Sequence, residues 1–192
     1  MELIFASSNQ YKTKELISIL PANFTVKNLK DIGYLQEIEE NGTTLKENAY
    51  IKAKTIYEAY GKNCLSDDSG LEIPFLNGEP GVKSARYSGT PPNDRENMAK
   101  VLTKLGDTTQ RQASFKTVIC YCNQGEYHYF EGEVIGNINS KPIGLYGFGY
   151  DPIFVPEGYN MTFAEMMLDQ KNELSHRKKA LEKFKEFINK SL

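Results

Sequence analysis

Cysteine is scarce. The three residues, Cys64, Cys120 and Cys122, are odd in number, which argues against a disulfide framework in a chain of 192 residues. They read as reduced thiols of a cytoplasmic protein. Cys120 and Cys122 would share one face of a strand as small apolar side chains, because two thiols without a second pair make a poor zinc site. Long apolar runs are absent too: none approaches the roughly 20 residues that cross a bilayer. The opening Met1-Glu2-Leu3-Ile4-Phe5 lacks the basic segment of a signal peptide. No membrane partner is therefore expected. Nor is there an excess of basic charge. Twenty-three Lys and Arg face 25 Asp and Glu, and a net charge of -2 argues against a nucleic-acid partner. A phosphate ligand stays open, since a few local cations and one metal ion suffice to bind it. There is no internal repeat and no low-complexity linker, so residues 1–192 read as a single domain. With 40% hydrophobic and 25% charged residues, the composition is that of a globular enzyme.

The pattern that is present alternates helices and strands before a hairpin interrupts, which predicts an α/β fold with a mixed sheet. Leu3 to Ala6 reads as a buried strand, and a helix whose buried side is Leu16, Ile17, Ile19 and Leu20 ends at Pro21. Thr44-Leu45-Lys46-Glu47 is a capping box for a second helix, closed by Gly61. Two short strands are expected near Cys64-Leu65 and Leu71-Phe75, with a Gly/Pro-rich loop over 77–81. Asn93 and Glu96 offer another capping box, for a helix ending at Gly106. Ala113–Cys122 and roughly Tyr127–Ile138 read as a hairpin turning at Asn123-Gln124-Gly125. A third capping box at Thr162–Glu165 precedes a closing helix with Leu174, Arg177, Leu181, Phe184 and Ile188 along one side.

Three segments concentrate the residue types a phosphate or metal site needs. Ala6-Ser7-Ser8-Asn9-Gln10-Tyr11-Lys12 sits between strand and helix, where backbone N–H groups and the helix dipole favour an anion and Lys12 adds a cation. It lacks the glycines of a Walker loop. Ser66-Asp67-Asp68-Ser69-Gly70 brings together two carboxylates that repel unless a cation sits between or beside them, and Mg²⁺ is the natural hard cation where phosphate is also present. Taken alone, the same five residues fit an acidic turn, with Gly70 permitting the bend. Glu39-Glu40-Asn41-Gly42 could bring a further carboxylate. The third constellation is Phe148-Gly149-Tyr150-Asp151-Pro152 with Lys171 and Ser175-His176-Arg177, which supplies rings for stacking and donors for a base edge. His176 could bond a purine carbonyl or cap its own helix. His128 reads as structural.

With all three segments in order, the chain resembles the inosine triphosphate pyrophosphatase family, also called Ham1-like or dITP/XTP pyrophosphatases. The similarity runs nearly end to end. It rests on Ser7-Ser8-Asn9 with Lys12, Glu47-Asn48-Ala49, Ser66 to Leu71, Pro80-Gly81, Ser84 to Gly89, Phe148 to Pro152 and Ser175-His176-Arg177. Each motif is weak alone; together, at these separations, they are highly specific. One departure is Tyr11 before Lys12, where many relatives carry glycine. A tyrosine suits a helix, so triphosphate binding is expected to survive.

The resemblance implies a mixed central sheet with two lobes around an active-site cleft, a homodimer and a need for Mg²⁺. It implies cleavage of a noncanonical purine triphosphate (ITP, dITP or XTP) to the monophosphate and pyrophosphate. Ser7, Ser8, Asn9, Gln10, Tyr11 and Lys12 would hold the triphosphate, and Ser69 would touch substrate. Asp68 would be the base for water and a metal ligand, with Glu39 or Glu40 as second ligand. Phe148, Gly149, Tyr150, Asp151, Lys171, His176 and Arg177 would hold the base. Donors from Arg177, His176 or a backbone N–H would donate to the 6-keto oxygen of a purine and mismatch adenine's amino group. Two rivals are a pyrophosphatase acting on pyrimidine triphosphates and a catalytically silent nucleotide binder. The intact set of Lys12, Asp67, Asp68 and Arg177 argues against the latter. The part played by Asp67 stays open at this level.

Overall fold

The structure, a computed structural model, describes residues 1–191; the side chains of Tyr11 and Ser191 lie outside that description. Six strands form one mixed sheet in the order β2-β1-β3-β4-β5-β6. Strands β3 (Cys64–Glu72), β4 (Gln112–Asn123) and β5 (Glu126–Ile138) each contribute residues to both of two compact units.

The first unit holds residues 1–68, 117–132 and 177 onward. Its β1 (Glu2–Phe5) runs parallel to β2 (Thr25–Asn28), with Glu2 opposite Thr25, and parallel to β3, with Phe5 opposite Leu65. Parallel neighbours need helical crossovers, and α1 (Gln10–Ile19) and α2 (Leu45–Tyr60) supply them. The capping box expected at Thr44 is present: its hydroxyl accepts the Glu47 N–H at 3.1 Å while the Glu47 carboxylate accepts the Thr44 N–H at 3.2 Å. Gly61 ends α2 at φ +62°, the left-handed region.

Side chains alternate across a strand, and here the two faces meet different helices. Leu3, Phe5, Leu65, Ile119 and Tyr121 pack with Leu16 of α1 and with Leu181, Phe184 and Ile188 of α5 (His176–Ser191). On the other face the Ser66 hydroxyl donates to the Ala49 carbonyl and the Cys64 thiol to the Ala53 carbonyl, both on α2. Cys64, Cys120 and Cys122 are buried free thiols, and burial pushes the Cys120 thiol up to about 12, so it stays protonated. The hairpin turns through Gln124 (φ +51°) and Gly125 (φ +90°), the paired left-handed geometry of a two-residue loop.

The second unit holds 69–116 and 133–176. Its core joins Leu71 and Ile73, Val101 and Leu105 of α3 (Asp94–Leu105), and Ile153, Phe154 and Phe163, with Phe115 packed against it. Asn93 caps α3 by accepting the Glu96 N–H. Strand β6 (Phe154–Pro156) pairs antiparallel with β5, placing Ile138 opposite Phe154.

Four sequence expectations need correction. The strands expected near Cys64 and near Leu71 are one nine-residue strand, and Ser66–Gly70 runs through it rather than turning. Tertiary pairing of both carboxylates outweighs the turn preference of Asp, Ser and Gly. Gly70 is not among the left-handed glycines; a Cβ there would strike the Gly81 carbonyl and come within 3.2 Å of the Ser84 hydroxyl. It serves close backbone approach, not a bend. The loop expected over 77–81 is present between 3-10 turns, Pro74–Leu76 and Gly81–Arg86, but Ile17, expected on the buried side of α1, is 52% exposed. The capping box at Thr162 opens only a 3-10 turn, Phe163–Glu165, and the closing helix is two: α4 (Leu168–Leu174) stops where Ser175 turns to ψ 140°, and α5 follows.

Gly70→Ala therefore forces the Gly81 backbone and the Ser84 hydroxyl to move, and about 1–3 kcal/mol of stability should be lost. Urea denaturation of both proteins reads this directly; an unchanged midpoint would show that the close approach carries no constraint.

Candidate functional site

Asp67 and Asp68 are consecutive on β3, so one points to each face of the sheet. Asp67 faces α1 and α5. Its Oδ2 meets Lys12 Nζ at 2.8 Å and accepts from Arg177 Nε at 3.2 Å, while Arg177 also donates to Glu15 at 3.3 Å. Asp67 is 3% exposed. Burial alone would push its carboxyl up, but the charges of Lys12, Arg177 and Lys52 overcome burial and hold it well below the usual carboxylate range. Burial in turn pushes the Lys12 ammonium down, against the pull of Asp67.

Asp68 faces α2. Its Oδ1 lies 3.0 Å from Lys52 Nζ, and its Oδ2 accepts from Asn48 Nδ2 at 3.3 Å. Lys52 also reaches Glu40 Oε1 at 3.1 Å. Burial, reinforced by the Glu40 charge and opposed by Lys52, leaves the Asp68 carboxyl above its ordinary value. A carboxylate raised in this way is suited to accept a proton. The Lys52 ammonium keeps its proton, since the attraction of Asp68, Asp67 and Glu40 outweighs burial.

The loop before α1 is partly exposed. Ser7 Oγ accepts the Asn9 N–H at 3.2 Å, and Asn9 Oδ1 caps α1 by accepting the Lys12 N–H at 3.3 Å. Ser8, Asn9 and Gln10 face solvent at the helix start. The side chain of Tyr11, also expected here, lies outside the described residues.

The predicted base-holding residues divide by burial in the second unit. Tyr150 and Asp151 are buried: the Tyr150 hydroxyl donates to the Ser84 carbonyl at 2.7 Å, and Asp151 accepts the Phe148 N–H at 2.8 Å and pairs with Lys171. Burial raises the Asp151 carboxyl, with Lys171 opposing. Gly149 donates to Asp94 at 2.7 Å. Phe148 is 63% exposed, with the Lys171 ammonium 4.7 Å from its ring centre. Gly147 (φ +81°) admits no side chain, because a Cβ would strike the Asp151 carboxylate. His176 stacks on Phe115 at 5.1 Å and 10°, and its Nδ1 is buried without a hydrogen bond. Ser69 is half-buried on β3.

The structure thus gathers Lys12, Asp67 and Arg177; Glu40, Asp68 and Lys52; and Phe148, Asp151 and Lys171. Glu39 is exposed, whereas Glu40 shares a cation with Asp68. No three His, Cys, Asp or Glu side chains form a metal cluster among the described residues. Mg²⁺ does not need three: one or two carboxylates plus phosphate and water oxygens complete its shell. Glu40 and Asp68 offer hard oxygens converging on one cationic position, and that donor set fits Mg²⁺. Lys52, Asn48 and Glu15 were not predicted. The signal for the first two was available: Asn48 and Lys52 stand four apart on the face of α2 that buries Ala49, Ala53 and Ile56.

Comparison with known proteins gives one consistent answer. Residues 3–187 match the Ham1 family. The chain is 49% identical over 180 residues to a dITP/XTP pyrophosphatase of Flavobacterium psychrophilum, covering 94% of this chain and 95% of that one. It is 44% identical over 191 residues to a dITP/XTP pyrophosphatase of Bacillus subtilis, covering 97% and 96%. The Ham1 protein of Staphylococcus aureus has a TM-score of 0.95 at 38% identity, covering all of both chains, and a HAM1 protein of Coxiella burnetii has 0.93 at 37%, covering 99% of each.

Removing the Asp67 charge leaves Lys12 and Arg177 buried without their counterion. Asp67→Asn should lose about 3 kcal/mol at neutral pH. Because the folded carboxyl titrates below the unfolded value of about 3.9, this stabilisation is full above that value and fades as pH falls through the lower folded one. The gap between wild type and variant should therefore narrow below about pH 4. Equal stability at pH 7, or a gap constant down the acid limb, would contradict the ion-pair assignment.

Proposed function

The chain belongs to the Ham1 family, and from that premise we propose that it hydrolyses noncanonical purine nucleoside triphosphates (ITP, dITP and XTP) to the monophosphate and pyrophosphate, clearing them from the nucleotide pool. One observation carries the reading. Within the first unit, consecutive residues of β3 offer an anion-binding cation pair on one face and a raised carboxylate with a second acid on the other. A phosphoanhydride hydrolase needs both.

In this reading the loop before α1 and its first turn, from Ser7 through Gln10 and Tyr11 to Lys12, hold the polyphosphate with N–H groups, hydroxyls and the ammonium. Asp68 takes the proton of the attacking water, and its raised carboxyl favours that role. Lys52 fixes Oδ1 of Asp68, so the carboxylate is already oriented when substrate arrives. Charge developing on the phosphate oxygens is met by Lys12 without reorganisation, because Asp67 already holds that side chain in place. Glu40, rather than Glu39, joins Asp68 as metal ligand, and Mg²⁺ bound there would supply a Lewis acid for the phosphate oxygens. Ser69 contacts the substrate.

Base recognition falls to Phe148, Gly149, Tyr150, Asp151, Lys171, His176 and Arg177. Phe148 offers an exposed ring for stacking. Tyr150 and Asp151 shape its loop from within the core, and Lys171 stands over its face. Arg177 and His176 donate to the 6-keto oxygen. Adenine presents donors there, and leaving them unpaired disfavours ATP strongly. Asp67 then has a role that the sequence left open: one carboxylate anchors both a phosphate-binding lysine and a base-reading arginine. A cytoplasmic homodimer of a single 192-residue domain, with no nucleic-acid or membrane partner, goes with this reading. It is supported by the buried free thiols and the near-neutral charge. No helix among the described residues is long and apolar enough to span a membrane.

The test is a triphosphate panel with pyrophosphate detection, with and without Mg²⁺. ITP, dITP or XTP should exceed ATP in kcat/KM by on the order of 100-fold or more, with pyrophosphate as co-product and no turnover without metal. Asp68→Asn should lose nearly all turnover while still binding ITP. Orthophosphate as the sole product, or equal turnover of ATP and ITP, would sink the reading.

A further inference from the structure

The proposed metal ligands come from separate parts of the chain: Asp68 from β3, Glu40 from the loop before α2. Something must hold that loop in register with the strand. Asn48, in the first turns of α2 and wholly buried, makes both connections. Its Nδ2 donates to Asp68 Oδ2 at 3.3 Å, and its Oδ1 accepts the Gly42 N–H at 2.8 Å. The amide orientation follows from its partners, since a carboxylate only accepts and a backbone N–H only donates. Gly42 packs closely on this amide: a Cβ there would lie 2.7 Å from Asn48 Oδ1 and 2.7 Å from Glu47 Cβ. The acidic loop is thus clamped to the amide two residues beyond Glu40.

We infer that Asn48 is a positioning residue that locks the Glu40 loop to Asp68 and so sets the geometry of the paired carboxylates before any ligand arrives. Asp68 has two oxygens, and each is held by a different α2 side chain, Lys52 on Oδ1 and Asn48 on Oδ2. Lys52 and Asn48 differ in kind. The ammonium attracts both acids wherever they lie, whereas the amide demands one orientation from each of its two partners. Loss of the amide would leave Asp68 free to rotate about the lysine and the Gly42 N–H without its acceptor. Partners of metal ligands typically contribute 10–100-fold to affinity or activity.

The inference rests on the metal role proposed for Glu40 and Asp68, and the experiment separates the two. Full-length Asn48→Leu keeps the branched side-chain shape and removes both hydrogen bonds; Asn48→Ser, which admits water, serves if the leucine variant does not fold. Mn²⁺ binding without nucleotide is followed by electron paramagnetic resonance, beside kcat and KM for ITP at saturating metal. Ser66→Ala is the structural control, because it cuts the buried hydrogen bond from β3 to Ala49 of the same helix without touching either acid. The expected result is Mn²⁺ affinity and kcat both lowered about 10–100-fold in the Asn48 variant, little change in KM for ITP, and near-wild-type Mn²⁺ affinity in Ser66→Ala. Wild-type Mn²⁺ affinity in the Asn48 variant, or equal loss in both variants, overturns the inference alone. A wild type that neither binds Mn²⁺ nor hydrolyses ITP removes the underlying reading, and the inference with it.

Discussion

Two carboxylates on consecutive residues of an extended strand cannot share a face, and the site is organised by that constraint. Were Ser66–Gly70 a turn, Asp67 and Asp68 would sit closer and repel one another. In β3 each has its own cations instead: Lys12 and Arg177 for Asp67, Lys52 for Asp68. The two carboxyls consequently shift in opposite directions, Asp67 down and Asp68 up. One stays charged beside its cations, and the other sits above its ordinary value. This difference arises from the strand's period of two and from which helices cover each face, with no special chemistry in either side chain.

The rest of the first unit follows from that arrangement. Lys12 can meet Asp67 because α1 packs on the same face as Leu65, and Arg177 can because α5 begins beside it. Lys52 and Asn48 reach Asp68 because α2 covers the other face through Ala49 and Ala53, whose carbonyls accept from Ser66 and Cys64. Serine and cysteine thus satisfy two α2 carbonyls in the dry layer between strand and helix. In the second unit the same economy appears in the 147–151 segment. Buried Tyr150 and Asp151 secure it, Gly147 lets the chain pass the Asp151 carboxylate, and Phe148 is left at the surface.

Much of this was legible in the sequence. The Thr44 box, the left-handed Gly61 and the Gln124-Gly125 turn are local, decided by neighbours along the chain, and the structure has them where the pattern put them. The three candidate segments were also visible as unusual concentrations of small polar, charged and aromatic residues. The course of β3 was not legible, because Asp-Asp-Ser-Gly favours a turn locally and only distant cations make the extended form favourable. Gly70 was misread for the same reason: its neighbours Gly81 and Ser84 are remote in sequence. The pairing of Glu40 rather than Glu39 with the lysine on Asp68, the partners of Asp67, and the entry of Lys52 and Asn48 all required knowing which face of α2 meets which face of the sheet. The polar pair on the apolar side of α2 was the one hint available.

The central claim is a division of labour between adjacent carboxylates, and it has a direct test. Crystals of the Asp68→Asn protein's wild-type parent, grown with Mn²⁺ and a non-hydrolysable ITP analogue, would locate the metal by anomalous scattering and the phosphates by density. The account predicts Mn²⁺ on Asp68 and Glu40, phosphate oxygens on Lys12, and Asp67 still paired with Lys12 and Arg177. Mn²⁺ on Asp67, or phosphates bound away from Lys12, would contradict it.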